Sequence, residues 1–467
     1  MQNFWEFDVW APIALFGTLM ISLLGANVIK RRVPFLRNSL IPTAVLGGLL
    51  LLIISSVYEL CTDKLFFNTT YFGGNGASTL EVITYHALAI GFIATAFKPS
   101  SGKHTLKRNG EIFDTGVTTV STYLLQGVLG LGATILIAMA FTDVFEASGL
   151  ILPFGFGQGT GQALNWGSIY ETDHGFEGGR SFGLSIAALG FLAASIGGVI
   201  HLNILKHRGA VLVHEDELSC TMSSEDIQEA DEIPMNGSMD KLSVQVGFVL
   251  GAYMLVQALL LVLSALLPSF QAVIYGFNFL FGVLIATTIR VGCTLLRKRG
   301  IMHRQYVNGF LMDRISNFFF DLMVVAGIAA IRLEVVKGYW WIVILLAVLG
   351  TFPTYFYNRF IARKFFPEYS EQQFLMMYGM LTGTASTGTI LLRELDPKFE
   401  TPAADNLVYQ NFPAIVFGLP LMFLAKLAPI NPFLTWLILL GFFIFLNILL
   451  FRRQIFMRKK LKAKTKE

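Results

Sequence analysis

Apolar runs of about twenty residues alternate along this chain with short polar connections. A helix needs about 20 mostly apolar residues to cross a hydrocarbon layer about 30 Å thick. By that measure, spans are expected at about residues 9–29, 40–58, 80–97, 113–140 and 181–204. Further spans fall at about 243–267, 271–296, 312–331, 338–358, 406–426 and 431–451. Two stretches break the pattern. Residues 148–166 contain FGFGQGTGQALNW, and residues 371–395 contain TGTASTGT. Gly155, Gly157, Gly159 and Gly161 alternate in the first, and a glycine weakens a helix by about 1 kcal/mol relative to Ala. Both stretches read as re-entrant hairpins with polar tips. A pair of Gly-interrupted polar segments, one in each half of a membrane protein, points to a transporter's binding site.

The expected fold class is therefore an all-α polytopic membrane protein with about 11 transmembrane helices. Composition agrees: 467 residues are 54% hydrophobic and only 14% charged, unlike a soluble globular chain. Cys61, Cys220 and Cys293 are scattered, which argues against a disulfide framework or a zinc site. The first residues, MQNFWEFDVW, carry no basic region and no small-residue cleavage site, so they do not read as a signal peptide.

Charge placement sets the orientation. Basic clusters fall at Lys30–Arg37, Lys98–Arg108, Lys206–Arg208, Arg297–Arg304, Arg359–Lys364 and Arg452–Lys466. The positive-inside rule makes all six cytoplasmic. That works only if the N-terminus is outside, segment 148–166 enters and leaves outside, and segment 371–395 enters and leaves inside. Residues 1–205 and 243–428 then form two inverted repeats of five helices and one hairpin each. Residues 206–242 form an acidic linker between them, and 429–467 add a helix and a basic cytoplasmic tail.

An irregular backbone survives in a bilayer only where protein or a water-filled cavity covers it. Half-helices meeting at such a break offer N–H groups to an anion and carbonyls to a cation. The amides of Gln158 and Asn165 and the hydroxyls of Thr160, Thr382, Thr384, Ser386, Thr387 and Thr389 add neutral donors and acceptors. Hard cations favour such oxygens. The rival reading is that the glycines only let helices pack closely. Elsewhere, Asp321, Arg290, His86 and Gln126 lie at membrane depth, where each is a functional or a packing residue. Arg180 and Glu177 read as solvated, and Asp405 as a helix cap. No nucleophile–base pair, phosphate loop or metal-spaced set is visible, so the chain is not read as an enzyme and no nucleic-acid partner is expected. A passive channel and a sensor or structural membrane protein are the rivals to transport.

Several segments resemble the bacterial glutamate:sodium symporter family. They are IPTAVLGGLL (41–50), FGQGTGQALNW (156–166), the GFE turn at 175–177, AALGFLAASIGGVI (187–200), ISNFFFDLMVVAGIAAIRL (315–333) and TGTASTGT followed by NFPAIVFGLP (411–420). The resemblance covers about residues 5–428. It implies a sodium-coupled transporter of the bacterial inner membrane, a homodimer working by an elevator-type mechanism, with glutamate or a related small carboxylate as substrate. It implies no cofactor beyond sodium as the coupling ion. It places Gln158, Gly159, Thr160 and Gly161, and in the second break Gly383, Thr384, Ser386 and Thr387, at the substrate and sodium region, with sodium near Thr160 and Thr384. Gln158 stands where the family has His. The second break departs further from the family pattern, so specificity is expected to differ there.

Overall fold

The computed structural model describes residues 4–38, 41–98, 106–141, 144–208, 232, 239–268, 271–396 and 401–452. Most of the acidic linker and the basic tail beyond Arg452 lie outside the described residues. Among those described there is no strand, only an isolated bridge between Glu232 and Gln305. The longer helices are α1 (Phe7–Arg32), α2 (Thr43–Thr62), α3 (Gly76–Phe97), α4 (Leu106–Ala138), α5 (Ile151–Gln158), α6 (Thr160–His174), α7 (Gly179–His207) and α8 (Lys241–Leu266). They continue with α9 (Asn278–Lys298), α10 (Gly309–Ala329), α11 (Trp340–Phe365), α12 (Ser370–Thr382), α13 (Ala385–Arg393), α14 (Ala403–Tyr409), α15 (Asn411–Leu427) and α16 (Pro432–Leu450).

The protein is thus a polytopic helical membrane protein. Nine of the described helices are long and apolar enough to cross a membrane: α1–α4, α7–α9, α11 and α16. Two further expected spans form helices of a different kind. α10 carries Asp313, Arg314 and Asp321. The span expected at 406–426 is divided at Gln410 into α14 and α15. Pro413 accounts for the division, because it donates no hydrogen bond and its ring crowds the carbonyl four residues earlier.

The helices form two compact units, each drawing on both halves of the chain. The first holds residues 1–26, 46–103 and 209–330, and so α3, α8, α9, α10 and most of α1 and α2. Small residues set its packing. A β-carbon at Gly48 would lie 2.7 Å from that of Ile328, and one at Gly91 would lie 2.7 Å from the Phe320 ring. The Ser316 hydroxyl donates to the Gly91 carbonyl at 3.0 Å. Arg290 Nη1 donates to the Lys98 carbonyl at 2.6 Å, so it satisfies a terminal carbonyl of α3. His86 Nδ1 lies 2.6 Å from the Tyr253 hydroxyl. Both therefore hold helices together. Asp321 lies on an exposed face of α10. One linker residue is anchored: Glu232 accepts from Lys241 Nζ and from Asn308 Nδ2, each at 2.6 Å, and the Lys–Glu pair is buried.

The second unit holds residues 27–45, 104–208 and 331–467. Both hairpins lie in it. The C-terminal helix is built into the same unit: Trp436 Nε1 donates to the Val128 carbonyl at 3.0 Å, and Asn447 bonds Ser121 at 3.0 Å and Tyr357 at 2.9 Å. A buried chain of polar groups ties α12 to α4 and α14. In it Gln373 donates to Thr115, Asn406 donates to Gln373, and Tyr369 donates to Glu111. Where the first hairpin begins, the backbones nearly touch. A β-carbon at Gly149 would sit 2.0 Å from the Gly130 carbonyl oxygen, and one at Gly130 would sit 2.2 Å from that of Gly149.

That contact yields a test. Gly149→Ala forces two backbones apart and is expected to cost at least about 1–3 kcal/mol, lowering the thermal midpoint in detergent by several degrees. Gly251→Ala in α8, with no neighbouring atom within 4 Å, should leave the midpoint unchanged or raise it.

Candidate functional site

In the first hairpin, α5 ends at Gln158 and α6 begins at Thr160. Gly159 between them has φ 80° and ψ −171°. Only glycine takes that conformation freely, and a side chain there costs about 1–3 kcal/mol. The break is therefore written into one residue. Phe154 and Trp166, on opposite arms, stack with centroids 5.2 Å apart and stiffen the pair. The hydroxyl of Tyr123 in α4 donates to the Gly157 carbonyl at 3.1 Å, pairing an acceptor that the end of α5 leaves open. Gly159, Thr160 and Gly161 are buried, while Gln158 and Asn165 are half-buried.

In the second hairpin, α12 ends at Thr382 and α13 begins after Thr384. Thr384 caps α13, its hydroxyl accepting from the Thr387 N–H at 3.4 Å. Gly379 and Gly388 let the arms approach: a β-carbon at Gly379 would lie 2.8 Å from Gly388 Cα. Gln126 of α4 donates to the Leu381 carbonyl and to the Thr354 hydroxyl, each at 2.9 Å. It thus joins α4, α11 and the second tip. The hydroxyl of Thr389 donates to the Ala385 carbonyl one turn back, at 2.9 Å. That of Thr382 does the same to Tyr378 at 2.6 Å. The Ser386 side chain lies outside the described residues.

Both tips abut one helix. A β-carbon at Gly190 of α7 would lie 2.4 Å from the Thr382 carbonyl oxygen and 3.1 Å from the Phe156 ring. A β-carbon at Gly383 would lie 3.3 Å from the Ala194 methyl, one turn further along α7. Phe156 of the first hairpin and Thr382 and Gly383 of the second therefore meet the middle of α7, two or three residues from Gln158 and Gly159 and next to Thr384 in the chain. Thr389, beyond Thr387 in α13, has its hydroxyl hydrogen committed to its own helix.

Comparison with protein-family models and with curated proteins finds no match for this chain. What the region can do rests on its own atoms.

Several of those atoms are unspent. Gln162, in the first turn of α6, is 2% exposed, and neither its amide oxygen nor its nitrogen has a hydrogen-bond partner among the described residues. The same holds for Gln126 Oε1, Asn165 Nδ2 and Trp166 Nε1. A buried polar atom left unpaired costs about 1–3 kcal/mol. Of the four residues with such atoms, Gln162, Asn165 and Trp166 lie within two turns of α6, and Gln126 bonds the second hairpin at Leu381. The first turn of α6 adds backbone N–H groups and the positive end of the helix dipole. Gln162 did not stand out in the sequence from its neighbours Thr160 and Asn165; what separates it is that both of its buried amide atoms lack partners among the described residues. Gln126 carried a signal, as an amide within the apolar run 113–140.

Two sequence expectations change. Asp405 does not cap a helix: Pro402 holds that position, and Asp405 instead pairs with Arg108 at 3.6 Å. Arg180 is not a solvated side chain but is half-buried. Its Nε donates to the Ser168 hydroxyl at 3.2 Å, and its backbone N–H donates to Glu171 at 3.0 Å. It thereby joins α6 to α7. Glu177 is exposed as expected.

A second cluster secures the base of the second hairpin. His201, fully buried in α7, contacts the Tyr355 hydroxyl through Nδ1 at 2.7 Å and Glu371 through Nε2 at 2.8 Å. Arg363 also reaches Glu371, at 3.1 Å. The hydrogen bond from His201, followed by Arg363, holds the Glu371 carboxyl down at about 2, against an ordinary value of 4.5, although burial pushes the other way. A carboxylate held low in the folded state stabilises the fold above its unfolded-state value and loses that contribution as pH falls through its folded value. Thermal stability should accordingly decline as pH is lowered from 4.5 to about 2. Glu371→Gln, measured by the same unfolding scans, should be less stable near neutral pH and show a flatter decline across that window.

Proposed function

We propose that this protein is a secondary active transporter, a sodium-coupled symporter of glutamate or a related small carboxylate, in the family its sequence resembles. The observation that carries the reading is the pair of broken hairpins whose tips abut one glycine, Gly190, and leave buried polar atoms unspent. Broken helices facing each other in an apolar protein are the form in which transporters present backbone to a solute. The resemblance supplies the identity of the ion and the substrate class.

In the proposed mechanism a substrate carboxylate meets the N–H groups at the start of α6 and the hydroxyls of Thr160, Thr384 and Thr387. Gln158, Gln162 and Asn165 orient the rest of the solute through their amides. Sodium takes oxygen ligands near Thr160 and Thr384, hydroxyls and terminal carbonyls of the half-helices. Ion binding orders the tips and so raises substrate affinity, and linkage makes the effect reciprocal. Both hairpins belong to one compact unit, which supports an elevator-type movement of that unit as a body. The protein acts as a homodimer in a bacterial inner membrane, with its N-terminus outside and its C-terminus cytoplasmic. It makes no covalent change to its cargo.

Uptake into liposomes tests this. With an inward sodium gradient, labelled glutamate or another small carboxylate from a panel should accumulate above its external concentration, and collapse of the gradient should abolish accumulation. If every solute only equilibrates, the protein is a passive pore; if none enters, transport is excluded. Thr160→Val and Thr384→Val should each raise the half-saturating concentration of substrate or sodium by about tenfold or more, the loss expected for one hydrogen bond to a charged group.

A further inference from the structure

Near its basic end, α11 carries a shallow cavity of about 460 Å³, lined by Phe356, Arg359, Phe360, Arg363 and Lys364. Three cations line it and no carboxylate does. Of the three, only Arg363 pairs with a carboxylate among the described residues, that of Glu371. Arg359 donates through Nη1 to the Tyr355 hydroxyl at 3.1 Å, while its Nε is buried and has no partner among the described residues. Lys364 Nζ lies over the rings of Phe360 and Phe451, 5.3 and 4.6 Å from their centroids. Positive charge is therefore held at this site in excess of what neutralises it.

The apolar part of the surface decides what kind of anion fits. Phe352, Phe356 and Phe360 follow one another at four-residue spacing and are 57%, 65% and 52% exposed. They form one stripe leading away from the charges along a helix long and apolar enough to cross a membrane. From Phe352 to Arg363 the helix rises about 16 Å, close to the thickness of one leaflet's hydrocarbon. A free anion would use the cations and leave the stripe bare. A phospholipid uses both. Guanidinium groups match phosphate oxygens in shape as well as charge, and basic pockets beside membrane helices suit anionic headgroups.

We propose that this cavity binds the phosphodiester headgroup of an anionic phospholipid, with the acyl chains lying along Phe352, Phe356 and Phe360. The phosphate lies between Arg359, Arg363 and Lys364. Its hold on Arg363 reaches Glu371, the second residue of α12, so lipid occupancy is linked to the base of the second hairpin.

The full-length protein in detergent is offered phosphatidylglycerol, phosphatidylcholine or inorganic phosphate. Bound lipid is read by native mass spectrometry and stability by thermal unfolding. Phosphatidylglycerol should be retained and raise the midpoint by several degrees, and the other two should not. Loss of one cation should weaken retention about fivefold and loss of two about thirtyfold, seen in Lys364→Gln and in Arg359→Gln combined with Lys364→Gln. Arg359→Lys combined with Lys364→Arg keeps the charge and should keep most of the lipid. Arg314→Gln, which removes a cation stacked on Phe310 in the first unit, should change nothing. If the double Gln variant does not fold, Lys364→Gln on its exposed side chain decides the matter. Unchanged retention in Lys364→Gln, equal retention of phosphatidylcholine, an equal stability shift with inorganic phosphate, or an equal loss in Arg314→Gln would each overturn the proposal.

Discussion

A helix that stops inside an apolar protein leaves backbone N–H and C=O groups without partners, and hydrocarbon offers none. Much of the second unit is arranged around that constraint. Gly159 and Gly383 interrupt the two hairpins. Tyr123 takes up the Gly157 carbonyl and Gln126 takes up that of Leu381, both from α4. Thr384 caps the half-helix that follows the second break. The surroundings must come close enough to exclude lipid, which is why α7 presents Gly183, Gly190, Gly197 and Gly198 to the hairpins. A β-carbon at any of the four would collide with a hairpin atom at 2.2–2.4 Å. Small residues here are therefore the covering of the breaks, and the breaks themselves rest on other positions.

This separates two readings that the sequence left in competition. Glycines that only ease helix packing and glycines that mark a polar break are both present, in different places. Gly130 and Gly149 serve close backbone approach, as do Gly167 and Gly179, whose β-carbons would lie 2.3 and 2.5 Å from one another's carbonyl oxygens. Gly159 serves chain geometry, because its φ of 80° is closed to other residues without strain. Within FGFGQGTGQALNW the alternation thus has mixed causes. Gly155 and Gly157 face Ile186 and Tyr123, and Gly159 makes the turn.

Much of the architecture was legible because hydrophobicity and breaks are local signals. Apolar runs locate the nine long helices, and the two Gly-rich interruptions fall at residues where helices do stop. What was not legible depends on partners far away in sequence. Pro413 divides an apolar run that reads as one span, and its ring is accommodated by Gly116, far earlier in the chain, where a β-carbon would lie 2.3 Å from it. Asp405 looked like a cap until Pro402 and Arg108 were placed around it. The last helix read as an appendage because it falls outside the repeat expected from the charge pattern, while its Trp436 and Asn447 find partners on α4 and α11 some 300 and 90 positions away.

The division of polar atoms between the two tips bears on where discrimination resides. The second break departs more from the family pattern, which placed specificity there. Yet its hydroxyls are largely occupied: Thr382 and Thr389 bond their own helices, and Thr384 is a cap for Thr387. Unspent amide atoms remain in the first hairpin, in Gln162 and Asn165, and also in Gln126, Asn406 and Gln410, which bond the first arm of the second hairpin. An amide offers a donor and an acceptor at fixed separation, so it rejects a guest lacking the matching pair more strongly than a rotating hydroxyl does. In the proposed transporter, a solute's shared feature, such as a carboxylate, would be held through helix ends and hydroxyls. Gln162 and Asn165, which the proposed mechanism already sets against the solute, would then tell one solute from another. On that proposal, divergence in the second break would bear less on selection than the amides of the first hairpin do.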